Sequence, residues 1–163
     1  EATGEQADGV PSGTPLPTVR DEARVVAVGF DGGAESQAAL HEAAVLAGRF
    51  GTSLRVIGVA TPTPMPAPGV VGAPPPPEAG ADFQSRLHDA VAELPDELRA
   101  LAIYEKGDPV AKLLEHAGEG VDLLVLGSRG YGPMLRLIAG SVSVRVIRHA
   151  PCPVLIVPRS GEL

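Results

Sequence analysis

Glycine and serine residues near the C-terminal end of the chain have types and spacing suited to binding phosphate. The segment 127–132 has the sequence GSRGYG, and nine residues separate Gly130 from a second segment, 140–143, with the sequence GSVS. Glycine lets main-chain N–H groups approach an anion without obstruction by a Cβ atom. The second segment opens a predicted helix, whose N-terminus adds unpaired N–H donors and a partial positive charge. The pattern predicts a phosphate-binding loop.

The main chain of this loop is expected to supply most of the contacts. Gly127 and Gly130 are predicted to lie on the α-phosphate side. Gly140, Ser141 and Val142 are predicted to donate N–H groups to the outer phosphates.

Side chains of the loop have a second, optional role. The Ser141 hydroxyl is a further donor, and Ser143 belongs to the same cluster. Arg129 and Arg136 either screen phosphate charge or are solvated loop residues. A structural alternative for the whole motif is a glycine-rich turn that permits tight packing of a strand against a helix.

Alternating strands and helices must position this loop. Apolar runs predict buried strands, and apolar residues three and four positions apart, such as Ala39, Ala43, Leu46 and Phe50, predict helices. Strands that are apolar on both faces and alternate with helices indicate an α/β fold, with a parallel sheet covered on both faces. The predicted strands are 24–30, 54–60, 101–105, 121–126 and 153–158, and the predicted helices are 35–50, 83–94, 109–118 and 140–149.

Two segments fall outside this alternation. Residues 1–22 are polar and rich in Gly, Pro and Thr, and are expected to be a disordered leader or a linker before a single domain at 23–160. Residues 61–80 include four consecutive prolines at 74–77, so a surface loop of partly polyproline II conformation is expected there.

Composition excludes several kinds of partner. The net charge is −7, the basic residues are scattered and aromatic content is 3%, which argues against nucleic acid and anionic membrane surfaces. No apolar run approaches the roughly 20 residues that span a bilayer. The single cysteine, Cys152, fits a reducing cytosol, so a soluble cytoplasmic protein is expected.

Other catalytic patterns are missing from the sequence. There is no Ser-His-Asp order, no metal-ligand cluster and no Gly-Lys-Ser/Thr phosphate loop. The isolated histidines are interpreted as surface residues of helices. Enzymatic activity is therefore left open, no catalytic residue is assigned, and any hydrolysis of a bound nucleotide is expected to be slow. The isolated histidines named above are His41, His88, His116 and His149.

The motif as a whole resembles the ATP-binding signature of the universal stress protein family, G-2x-G-9x-G-(S/T), at every defined position. Residues 25–33 (VVAVGFDGG) are similar to that family's opening strand and Asp-containing turn. The segment Gly107-Asp108-Pro109 is similar to the start of one of that family's helices. Residues 149–157 (HAPCPVLIV) are similar to its closing strand. The resemblance covers residues 24–159 and is weak across the proline-rich loop.

This resemblance implies an open five-stranded parallel sheet of order 3-2-1-4-5, of the adenine nucleotide alpha hydrolase-like type. Asp31 would hold the ribose or adenine end of a nucleotide, with Gly29 and Phe30 shaping the pocket and Val59 contacting adenine. A turn carboxylate that binds its own backbone remains an alternative for Asp31, as does ordinary core packing for Val59. The chain departs from many relatives at Gly33, where they have Ser or Thr.

The implied ligand is ATP, with AMP or cyclic AMP left open, and Mg²⁺ or Mn²⁺ held chiefly by phosphate oxygens and water. The implied function is a stress-response or signalling module that binds this nucleotide. A slow ATPase using the same pocket, and an interaction protein without nucleotide, are the alternatives. The resemblance also implies a homodimer, or a tandem pseudo-dimer, through the last strand at 153–158.

Overall fold

The computed structural model describes residues 25–62, 79–128 and 141–158. The predicted leader, most of the proline-rich loop, and the central part of the glycine-rich loop lie outside these residues. Within them the predicted alternation of strands and helices is confirmed, with element boundaries shifted by a few residues. The strands are β1 (Val25–Phe30), β2 (Ser53–Ala60), β3 (Leu101–Lys106), β4 (Leu123–Gly127) and β5 (Val154–Val157). The helices are α1 (Ala34–Phe50), α2 (Ala79–Ala92), α3 (Pro109–Ala117) and α4 (Ser141–His149), with a short 3-10 turn at Asp96–Leu98.

The strands form one sheet of order β3-β2-β1-β4-β5, and every pairing is parallel. This confirms the predicted fold class and strand order. Strands β2 and β3 are added on one side of β1, and strands β4 and β5 on the other. The crevice at the carboxyl ends of β1 and β4 is therefore a topological switch point.

Side chains of β1 alternate between two apolar cores, one on each face of the sheet. Val26, Val28 and Phe30 pack with residues of α1 and α2. Val25 and Ala27 pack on the other face with residues of α3 and α4. Burying one such Val or Phe side chain stabilises the fold by about 1.5–3 kcal/mol. The expectation that helices cover both faces is therefore confirmed.

Two sequence expectations about helices are wrong. Phe50 was expected on the core face of α1, but it is the last residue of that helix and is 56% exposed. His116 was expected on the surface, but it is only 9% exposed. Its Nδ1 lies 3.0 Å from Glu119 Oε2, and its Nε2 lies 3.3 Å from Glu105 Oε1. Two carboxylates give this ring the partners that burial requires.

Among the helices of the described residues, none is both long and apolar enough to cross a bilayer.

Candidate functional site

A cleft of about 170 Å³ lies at the switch point, beside the carboxyl ends of β1, β2 and β4. The first turns of α1, α3 and α4 complete its wall. Its lining residues are Gly29, Phe30, Asp31, Glu35, Ser36, Ile57, Val59, Thr61, Pro109, Leu113, Leu126, Gly127, Val142 and Ser143. This is the position at which open α/β sheets bind ligands.

The turn that carries Asp31 is held by its own polar groups. The main-chain N–H of Gly33 donates to Asp31 Oδ1 at 2.9 Å. The main-chain N–H of Asp31 donates to Ser36 Oγ at 3.2 Å, and that hydroxyl donates to the carbonyl of Gly33 at 2.9 Å. Gly32 has φ +81°, a left-handed conformation that glycine adopts without steric cost. The carboxylate of Asp31 is thus both a turn acceptor and a wall of the cleft.

Gly127 lies where β4 approaches the first turn of α1. A Cβ atom at this position would be 2.5 Å from the carbonyl oxygen of Glu35 and 3.0 Å from the main-chain nitrogen of Ser36. Both neighbours are backbone atoms and cannot move independently of the helix. Glycine at 127 is therefore required for packing, whether or not its N–H contacts a phosphate.

Helix α4 reaches the cleft through its first turn. Val142 and Ser143 line the cleft, and the Ser143 side chain is buried with its hydroxyl 3.4 Å from the carbonyl of Gly127. The first N–H groups of a helix have no intrahelical acceptor, and they carry partial positive charge. The beginning of α4 at Ser141 thus gives this side of the cleft a partial positive charge.

The first turn of α3 is different, because Asp108 caps it. The Asp108 carboxylate accepts a 3.0 Å hydrogen bond from the main-chain N–H of Ala111, and Pro109 occupies the first helical position. Both features were expected from the sequence. The Ala111 amide is therefore satisfied by the protein itself, and Pro109, which has no N–H, presents its apolar ring to the cleft.

Most of the residues predicted for the site lie on this one cleft. They are Gly29, Phe30, Asp31, Val59, Gly127, Val142 and Ser143. Ser141 begins α4. Arg129, Gly130 and Gly140 lie outside the described residues, as does Arg136.

Sequence reasoning missed several members of the wall. Glu35 and Ser36 belong to the first turn of α1, and Thr61 follows β2 directly. The signal for the first two was available, because the turn after the first strand of a parallel sheet must bring the start of its helix to the same crevice. The remaining members are apolar and have no distinguishing pattern in the sequence: Ile57, Pro109, Leu113 and Leu126.

The charged side chains among the described lining residues are two carboxylates, Asp31 and Glu35. Both have polar partners of their own. In the described part of the chain no three His, Cys, Asp or Glu residues are placed to hold a metal ion together. The cleft therefore combines apolar lining residues, two carboxylates in and just after the β1–α1 turn, and the N-terminus of α4.

Comparison with known proteins decides the family. A profile described as "Universal stress protein family" matches residues 22–158. The chain belongs to the universal stress protein family. This confirms the family suggested by the sequence motif.

Individual relatives agree with this assignment. A universal stress protein of Mycobacterium bovis is 33% identical over 140 residues, which cover 81% of this chain and 47% of that protein. The universal stress protein YxiE of Bacillus subtilis is 46% identical over 61 residues, covering 37% of this chain and 41% of that protein. The chain thus spans about half the length, or less, of these curated relatives.

A solved universal stress protein has the same fold. Its structure, described as a complex with cAMP, superimposes with a TM-score of 0.62 at 26% identity. The match covers 85% of this chain and 98% of that one.

The packing role of Gly127 gives a testable prediction. Gly127→Ala places a methyl group against the backbone of α1, so we expect the free energy of unfolding to fall by about 1–3 kcal/mol, as for other overpacked sites. Urea denaturation monitored by circular dichroism measures this change.

The matched control is Gly118→Ala. Gly118 has an ordinary helical φ of −76°, and its added Cβ would be 3.4 Å from the nearest atom. We expect this control to change the free energy of unfolding by much less. Equal stability of the two variants would contradict the packing role of Gly127.

Proposed function

We propose that this universal stress protein binds an adenine nucleotide in the cleft at the switch point, and acts as a stress-response or signalling module. The observation that carries the proposal is the position of Asp31 and the N-terminus of α4 on the walls of one cleft. A carboxylate suits the hydroxyls of a ribose, and a helix N-terminus suits phosphate.

The base is assigned to the apolar part of the cleft. Ile57 and Leu126 are buried in its floor, and Val59 is half-buried beside them. The volume of about 170 Å³ is below the roughly 300–1,000 Å³ typical of small-molecule sites. The cleft between described residues thus suits the base and ribose rather than a whole nucleotide.

The phosphates are assigned to the glycine-rich motif between Gly127 and Ser143. Its sequence matches the family's ATP-binding signature, so ATP is the proposed ligand, with AMP and cyclic AMP as the related ligands to compare. The structural relative described as a complex with cAMP supports an adenine nucleotide at this position in the fold.

A divalent cation is part of the proposal for ATP. The acidic side chains on the cleft, Asp31 and Glu35, would repel an uncompensated triphosphate. Mg²⁺ or Mn²⁺ held mainly by phosphate oxygens and water would offset this repulsion.

A second copy of the domain is the proposed macromolecular partner. Strand β5 is at the edge of the sheet and pairs only with β4 among the described strands. Leu155 on this strand is 38% exposed, and Ile147 on the neighbouring α4 is 48% exposed. Pairing of β5 with another β5, from a second chain or from a tandem copy, would cover this edge.

We place this module in the cytoplasm, since a single cysteine suits a reducing compartment.

The role of Asp31 is tested with Asp31→Asn. Asparagine keeps an oxygen for the bond from the Gly33 N–H but removes the negative charge. We expect roughly a tenfold or greater loss of ATP affinity by isothermal titration calorimetry, because hydrogen bonds to charged groups contribute about 1.5–3 kcal/mol. Asp89→Asn on the exposed face of α2 is the control and should bind as the unmodified protein does. Equal affinities for the two variants would argue against Asp31 as a ligand contact.

A single-turnover experiment separates a binding module from an enzyme. We expect ATP mixed with excess protein and Mg²⁺ to be recovered intact after several hours, because the sequence has no Gly-Lys-Ser/Thr motif of fast phosphoryl transfer. Chromatography of the released nucleotide measures this. Stoichiometric ADP would show that the protein is a slow ATPase.

The proposed dimer predicts an effect of Leu155→Lys. A lysine on the exposed edge of β5 would place like charges near each other across an antiparallel pair, so we expect a shift from dimer to monomer in light scattering. Leu101→Lys is the control, since Leu101 is also exposed, at 57%, but belongs to β3, the strand at the opposite edge of the sheet. A dimer that Leu155→Lys leaves intact would refute pairing through β5. A monomeric unmodified chain would refute pairing of β5 between two separate chains.

A further inference from the structure

The buried hydroxyl of Ser36 is joined to the turn that presents Asp31 to the cleft. Ser36 is 6% exposed and lies in the first turn of α1, three residues after the N-cap residue Gly33. Its hydroxyl accepts from the Asp31 N–H at 3.2 Å and donates to the Gly33 carbonyl at 2.9 Å. One side chain therefore connects both ends of the turn.

These two bonds act on the same group that the proposed site requires. The Asp31 carboxylate accepts from the Gly33 N–H at 2.9 Å, so its orientation depends on where Gly33 is held. The Gly33 carbonyl is held twice, by the Ser36 hydroxyl and by the Gln37 N–H at 3.0 Å. Loss of the hydroxyl would leave the Asp31 N–H without this acceptor and remove one restraint on Gly33.

The local sequence makes this restraint important. Gly32 and Gly33 are both free of side-chain restriction, and Gly33 as N-cap makes no side-chain capping bond. A turn with two consecutive glycines has high conformational freedom unless other groups fix it. The Ser36 hydroxyl restrains this turn through its hydrogen bonds to Asp31 and Gly33.

We propose that Ser36 is a positioning residue of the nucleotide site, which fixes the Asp31 carboxylate for contact with the ligand. This inference rests on the proposed function of the cleft. It assigns Ser36 an effect on affinity that passes through Asp31, rather than a direct contact or a general contribution to folding.

A double-mutant cycle tests this route, because residues that act through one another have non-additive effects. The proteins are the unmodified chain, Ser36→Ala, Asp31→Asn and the double variant, titrated calorimetrically with ATP and Mg²⁺. We expect Ser36→Ala alone to weaken binding roughly 3- to 10-fold, the equivalent of about one hydrogen bond. In the Asp31→Asn background, the same substitution should weaken binding less than about 2-fold.

A ligand-free measurement accompanies the cycle. Amide hydrogen exchange followed by NMR should be faster in Ser36→Ala at Asp31 and Gly33, and unchanged at Gly51, the C-cap residue at the other end of α1. Ser85→Ala, at an exposed position on α2, is the matched serine control for both measurements.

The possible outcomes are distinct. An equal loss of affinity in both backgrounds would show that Ser36 acts independently of Asp31 and would overturn the inference. So would unmodified affinity, or unmodified exchange at Asp31 and Gly33, in Ser36→Ala. Failure of the unmodified chain to bind ATP, AMP or cyclic AMP would instead refute the proposed function, and the positioning role with it.

Discussion

The close approach of β4 to the first turn of α1 is the constraint on which the site depends. At Gly127 the strand passes so near the backbone of Glu35 and Ser36 that no side chain fits between them. This contact fixes the end of β4 against the start of the helix that follows β1. Since the chain then continues to α4 on the opposite face of the sheet, the crevice opens at this point. The Asp31 turn and the start of α4 are thereby held on the walls of one cleft.

The same contact changes the interpretation of the glycine-rich motif. From the sequence, phosphate binding and tight packing of a strand against a helix were alternatives for the whole motif. The structure gives Gly127 a packing role that would exist without any ligand. The two roles are compatible, because a glycine has no side chain to hinder the approach of either a helix or a ligand to its main chain. The first glycine of this signature is thus explained by the packing of the crevice alone, and it bears on ligand binding because that packing shapes the cleft.

Much of the fold could be predicted because each strand is apolar on both faces. Buried residues such as Val26 and Ala27 on successive positions of β1 are typical of parallel sheets covered on both sides. The strand order could not be derived from periodicity, since apolar runs do not identify their neighbours. It came from resemblance to the family. Helix ends were the least predictable feature: Phe50 has helical spacing from Leu46, but it is the terminal residue of α1 and its side chain is exposed.

Polar residues with structural roles were harder to predict than the apolar core. His116 can be buried because carboxylate oxygens of Glu105 on β3 and Glu119 after α3 lie within hydrogen-bonding distance of its two ring nitrogens, a combination that only the folded chain brings together. Ser36 was missed for a related reason. At position 33 this chain has glycine where many relatives have Ser or Thr, so one hydroxyl near the site is absent. In the folded chain the Ser36 hydroxyl, one helical turn further along, bonds both Asp31 and Gly33. The turn therefore keeps a hydroxyl restraint despite the glycine, and the presentation of Asp31 depends on a residue that no spacing rule for phosphate loops includes.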